Sequence, residues 1–213
     1  ISLFAWHCSC FNVRFYICSM PNLPKITPIL KSGSESLTEN GVPLNNTILD
    51  FWRWSASDII SNSTRGRFAE FIVGAALGLD FKEVRDEWDS YDIATPEGVK
   101  VEVKSAAYIQ SWWQDEYSNI SFSIKPSTFY DDVKDEYVGP KRHADIYVFC
   151  LLTNKDTKTI DPLNVDQWEF YLVKTSTLNE ELGKGQKTVS LSVLKQITSP
   201  VKFGELRDAT LNR

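Results

Sequence analysis

The chain is short of positive charge. Its 213 residues carry 23 Lys and Arg against 28 Asp and Glu, a formal net charge of -5, whereas proteins that coat or package nucleic acid are usually basic. That balance disfavours a packaging role but suits an enzyme with an acidic centre and a locally basic face. Cysteine is scarce: Cys8, Cys10 and Cys18 crowd into the first eighteen residues, and Cys150 stands alone in an apolar run. This is no spaced disulfide framework, so a cytoplasmic setting is expected, with Cys150 a buried thiol. A zinc site from His7, Cys8, Cys10 and Cys18 is disfavoured because their spacing matches no familiar pair of knuckles. A long uninterrupted apolar run is also missing. The opening ISLFAWHCSCFNVRFYICS is apolar and aromatic, but His7, Asn12 and Arg14 break it, against the roughly twenty residues of a membrane span. It lacks the basic start and small-residue cleavage site of a signal peptide. No basic amphipathic stretch points to a membrane surface, so no membrane partner is expected. Internal repeats and low-complexity tracts are absent. Methionine occurs once, and MPNLPKITPIL after it reads as an ordinary beginning. Met20 is therefore the expected natural start; the competing expectation is that the preceding residues form a strand packed on the domain.

What is present is ordinary for a folded protein: 42% hydrophobic and 24% charged residues, enough for one domain with a sizeable core. Residues 1–47, with Pro21, Pro24, Pro28 and Pro43 among serines and glycines, read as an irregular arm, and 48–213 as a single domain. Ser63 or Thr64 can cap a helix through RGRFAEFIVGAALG, where Phe68, Phe71, Ile72, Ala75 and Leu79 keep helical spacing and Gly78 suits the end. Glu70 and Arg67 lie off that stripe and can face a cleft. A short strand is expected over 81–88, presenting Arg85. Residues 106–114 read as helical or irregular, ISFSI at 120–124 as a strand, 130–139 as a polar loop or short helix. ADIYVFCLL at 144–152 reads as a central strand covered on both faces. An apolar strand over 168–173 and alternating short helices and a strand over 176–209 complete a mixed α/β order.

The chemistry concentrates in YDIATPEGVKVEVKS, residues 91–105. Val99, Val101 and Val103 alternate with Lys100, Glu102 and Lys104, the period of a half-buried strand. Glu102 and Lys104 then share a face, and the Thr95-Pro96-Glu97-Gly98 turn can fold Asp92 back beside them. Two carboxylates and an ammonium at one point suit metal-assisted phosphodiester cleavage. The bare acidic-x-Lys pattern also occurs at Asp132-Val133-Lys134 and Asp156-Thr157-Lys158, but in polar surroundings without alternating valines. The bland alternatives are a solvated strand face for Lys100, Glu102 and Lys104, a surface helix pair for Arg67 and Glu70, and an ordinary turn for Asp92.

Glu70 on a first helix, Asp92 at a strand end and Glu102-Val103-Lys104 on the next strand resemble the PD-(D/E)XK nuclease superfamily, over roughly residues 65–173. Tyr91 stands where the superfamily name has proline. The resemblance implies a restriction-endonuclease-like core, a mixed central sheet flanked by helices, here with a small C-terminal helical elaboration. It implies one or two Mg²⁺ ions, for which Mn²⁺ can substitute, held by Asp92, Glu102 and the Val103 backbone carbonyl, with Glu70 reaching the same ion through water or serving a second one. Lys104 would orient and help deprotonate the attacking water. Arg67, Arg85, Lys100, Arg142 and His143 are candidates for nucleic-acid contact, Ser105 and Gln110 for secondary roles, and Trp112 or Trp113 for stacking on a base, with one of the two packed. The implied activity is Mg²⁺-dependent hydrolysis of DNA, of the type II restriction-like kind, with RNA open as a substrate and a homodimer expected for a symmetric cut. A catalytically silent nuclease-fold module for nucleic-acid binding or assembly is the alternative.

Overall fold

In the computed structural model, Leu23 and residues 26–85, 89–131 and 134–212 are described; the expectations on residues 1–20 lie outside them. Residues 26–35 are irregular, as expected of the arm, but the first elements among the described residues form a hairpin within it, β1 (Ser36–Glu39) and β2 (Val42–Thr47). Asn40 and Gly41 both take positive φ, 51° and 80°, the conformation a two-residue hairpin loop needs. Pro43 is tolerated because a two-stranded ribbon consists only of edges. Helix α1 (Ile48–Ala56) starts at Thr47, whose side chain and Asp50 cap each other's backbone. None of these three elements buries a side chain.

Helix α2 (Asn62–Leu77) begins at Ser61 rather than at Ser63 or Thr64, and ends at Gly78 in the left-handed region. It buries Ala69, Ile72, Val73 and Leu77, so the core-facing stripe is rotated one position from the expected one. Phe71 is exposed and packs on Phe81 with ring centroids 4.6 Å apart. The strand expected over 81–88 does not form in its described part, where 81–85 is irregular. After β3 (Ile93–Ala94), β4 (Lys100–Ala107) shows the expected alternation of buried valines, then gives way to an irregular loop over 108–120. Next come β5 (Ser121–Ser123), the hairpin β6 (Ser127–Asp131) and β7 (Glu136–Lys141), and β8 (Ile146–Leu152). That hairpin replaces the loop or helix expected over 130–139. The chain finishes with β9 (Trp168–Lys174), α3 (Thr175–Leu182), β10 (Thr188–Ser190), α4 (Leu191–Ile197) and α5 (Leu206–Leu211).

Four strands form a mixed sheet in the order β3-β4-β8-β9, with β4 and β8 parallel and the outer pairs antiparallel. Every residue of β8 is buried, as a central strand covered on both faces requires. On one face Val101, Val103, Val148 and Leu172 pack with Ala69, Ile72 and Leu77 of α2 and Leu206 of α5. On the other, Ala106, Tyr147, Phe149 and Tyr171 pack with Leu178 of α3, Leu194 of α4 and the β5–β10 ribbon through Phe122 and Val189. The fold is thus α/β, a mixed sheet flanked by helices, and the C-terminal helices supply cover on both faces. Among the described residues no helix is long and apolar enough to cross a membrane.

Candidate active site

β3 is only two residues long, so it pairs with β4 at Lys100 and Val101 and leaves the edge of β4 beyond them open. Asp92 stands at that boundary. Its N–H donates to the Val101 carbonyl at 3.1 Å, and its carboxylate accepts the Val103 N–H at 2.8 Å. The side chain thus continues the ladder that β3 abandons. Strand alternation turns the Val103 carbonyl to the same edge as its N–H.

Glu102 and Lys104 rise from the face of β4 opposite α2. Lys104 Nζ lies 2.5 Å from Glu102 Oε1 and 3.8 Å from Asp92 Oδ2. From the helix side, the Arg85 guanidinium grips the Glu70 carboxylate through Nε and Nη2 and stands 3.8 Å from Asp92 Oδ1. Glu70, Arg85, Asp92, Lys104 and Glu102 therefore form a chain of alternating charge around the open edge. Arg67, Glu70, Arg85 and Asp92 line one cavity of about 680 Å³ with Phe71 and Phe81.

Burial pushes the Glu102 carboxyl above its ordinary range, against the attraction of Lys104, and Asp92 adds to the rise. For Lys104 burial acts downward, but Glu102, Asp92 and Glu70 together outweigh it, so the ammonium is held above its ordinary value. Tyr147, opposite Glu102 on β8, is raised by burial and by the Glu102 charge. Nothing in a buried aromatic run of the sequence distinguishes it; only the register places it there.

Other expected residues lie elsewhere. Lys100 is exposed, its ammonium 5.1 Å from the Tyr91 ring centroid, and its N–H binds Asp145 Oδ2 at 2.9 Å. Ser105 and Gln110 are taken by Arg65, a residue the sequence reading passed over. Arg65 is buried and donates from Nε to Ser105 Oγ at 3.1 Å, from Nη1 to Gln110 Oε1 at 3.1 Å and the Ile60 carbonyl at 2.7 Å, and from Nη2 to Asn62 Oδ1 at 2.6 Å. Its signal was an arginine in the first turn of an apolar helix. Arg142 departs from the expected phosphate contact: it is buried, and its guanidinium is spent on the carbonyls of Ile124, Gly183 and Gln186 and on Asn179 Oδ1. His143 turns to the β6–β7 hairpin, donating from Nε2 to the Ser127 carbonyl at 2.8 Å with its ring edge-on to Phe129. Trp112 and Trp113 are both exposed, neither packed as expected for one.

The donors at the β4 edge are all oxygens. Among the described residues no three or more Asp, Glu, His or Cys side chains form a metal cage. Oxygen donors suit a hard divalent cation, and Asp92, Glu102 and the Val103 carbonyl are donors of that kind.

Among curated proteins, no sequence matches the chain. Residues 46–193 match the sequence model of the family described as bacteriophage T4 endonuclease IV. The match spans well over half of the chain, and the chain belongs to that family of nucleases.

Proposed function

From that membership, we propose that the chain hydrolyses DNA phosphodiester bonds as a metal-dependent endonuclease of the PD-(D/E)XK type. The observation that carries the reading is the convergence of Asp92, Glu102 and Lys104 at the open edge of β4. Asp92 and Glu102 would hold Mg²⁺ or Mn²⁺ with the Val103 carbonyl, and Glu70 would reach the same place through water. When bound, the ion supplies Lewis acidity toward the phosphate and offsets charge on its oxygens.

The chain's own residues do the rest. Asp92 is fixed by the Val103 N–H, so its second oxygen faces the cleft in one orientation. Lys104, held protonated by its carboxylates, positions the attacking water and offsets charge developing at phosphorus. To take a proton from that water Lys104 must first give up one of its own, which its pairing with Glu102 opposes. Water gives up a proton to solvent as it adds to phosphorus, the bond to the 3′ oxygen breaks, and that oxygen takes a proton from solvent. Arg67, exposed on the wall of the cleft, supplies a phosphate contact, and Lys100, exposed at the start of β4, is left for the DNA strand beyond it. A symmetric, restriction-like cut in duplex DNA would take two copies of this single centre.

A second reading, a silent nuclease-fold module, is favoured by one feature: each of the three carboxylates already has Lys104 or Arg85 beside it, leaving one negative charge of the three uncompensated. Nicking of supercoiled DNA in Mg²⁺, in Mn²⁺ and in EDTA separates the two. The enzyme reading expects metal-dependent nicking that falls about 10²- to 10⁴-fold in Lys104→Ala, the range for loss of a positioned acid or base. DNA binding without cleavage in any metal, equal in both proteins, would favour the module instead.

A further inference from the structure

Resting on the nuclease reading, we propose a second nucleic-acid contact: the loop after β4 holds an unstacked nucleobase against Trp112 and Trp113. Trp113 is 91% exposed and Trp112 54%, although an aromatic ring of this size carries one of the largest hydrophobic gains on burial. Beside them lies a cavity of about 670 Å³, lined also by Ile109 and Tyr117.

The exposure does not come from a loosely tethered loop. The Gln110 N–H donates to Gln114 Oε1 at 2.6 Å, and Gln110 Nε2 to the Ala107 carbonyl at 2.8 Å and Ser118 Oγ at 3.0 Å. Gln114 Nε2 donates to Ser118 Oγ at 3.1 Å, and the Ser118 N–H to the Tyr108 carbonyl at 3.0 Å. Arg65 anchors Gln110 to α2. The loop is fastened at both ends while its tryptophans face outward, so a ring stacking on them orders little that is not already ordered.

Charge decides what fits. The ionisable side chains lining the cavity, apart from the Tyr117 phenol, are Asp115 and Glu116, which repel phosphate but accept the N–H groups of a base edge. Lys155 stands beside it, its Nζ 4.2 Å from the Tyr108 ring centroid and 5.3 Å from that of the lining Tyr117. A neutral flat ring inside, with the sugar-phosphate chain passing Lys155, satisfies both. The site is continuous with the catalytic strand: from Lys104 to the end of β4 is about 10 Å at the rise of a strand. A base held here belongs to the nucleotides flanking the scissile phosphate, either from a single strand or turned out of a duplex.

The test is binding of short fluorescein-labelled single strands to the chain carrying Lys104→Ala, which prevents cutting, with and without Trp113→Ala. Trp113 is so exposed that its removal leaves the fold intact, and Trp113→Phe serves as the conservative control. Trp113→Ala is expected to weaken binding roughly 5- to 150-fold, the worth of one stacked base, and Trp113→Phe to restore most of it. The salt dependence stays unchanged, because no phosphate contact is lost. An abasic residue at one position of the strand is expected to weaken binding by a like factor in the Trp113 protein and to have no effect once Trp113 is gone. Equal affinities with and without Trp113, or a loss that lowers the salt dependence and is indifferent to abasic position, overturn the proposal. If the parent neither binds nor cuts DNA, the nuclease reading fails and this inference with it. If the parent binds and cuts while Trp113→Ala binds equally well, this inference alone falls.

Discussion

Replacing Arg65 by methionine, similar in length and apolar, removes the brace between α2 and the end of β4. The guanidinium makes four hydrogen bonds, and a bond from a charged donor contributes about 1.5–3 kcal/mol. Simple addition overstates the loss. Asn62 is exposed, so water replaces that bond, and among the described residues no carboxylate pairs with Arg65. Its charge is therefore desolvated without an opposite charge, and burial lowers its pKa. Methionine returns that desolvation cost, as apolar replacements of buried ions do. What remains is the orphaning of the Ile60 carbonyl, Ser105 and Gln110, a net loss of about 2–4 kcal/mol. Urea unfolding measures it directly, and amide exchange over 108–118 reports whether the loss is local, since Gln110 is the loop's tie to α2. A cost under about 1 kcal/mol, or exchange in the loop unchanged, would refute the reasoning, because the bonds would then merely balance the desolvation of the arginine.

Two further outcomes follow from the ion pairs and the buried arginine. Lys104 has a raised pKa in the folded chain, so its stabilising contribution is fully present below the unfolded value and is lost as pH rises through the higher folded one. Lys104→Met should therefore cost about 1–3 kcal/mol at neutral pH, between a surface and a buried pair. Its deficit relative to the parent should shrink only above about pH 10; a deficit that instead fades between pH 7 and 9 in paired unfolding curves would contradict the pairing. Arg142→Leu should destabilise by about 2–4 kcal/mol through the orphaned carbonyls of Ile124, Gly183 and Gln186. It should leave the salt dependence of DNA binding unaltered; a drop of one phosphate's worth would restore Arg142 to the nucleic-acid face.

Much of the architecture is legible along the chain because it depends on short-range periodicity. The alternating valines of β4, the apolar run of β8 and Gly78 closing α2 each encode their element within a few residues. The hairpin β6–β7 leaves no mark in the sequence, because polar, acidic residues carry no burial signal when neither face reaches the core. The apolar spacing of α2 points one position away from its buried stripe because Phe71 is large and apolar yet faces the cavity beside Phe81, a choice the helix alone does not make.

For the candidate site the division is similar. The sequence by itself determined that Glu102 and Lys104 share a strand face and that a turn returns Asp92 toward them, because strand period and turn chemistry act over a few bonds. Only the tertiary structure decided that β3 stops after two residues, that Asp92 therefore caps the bare edge of β4, and that Arg85 couples it to Glu70 of α2. It likewise buried Arg142 among carbonyls and gave Ser105 and Gln110 to Arg65. Long side chains select their partners from whatever packing brings near, and contacts across 11 to 45 residues of chain leave no periodic trace in the order of amino acids.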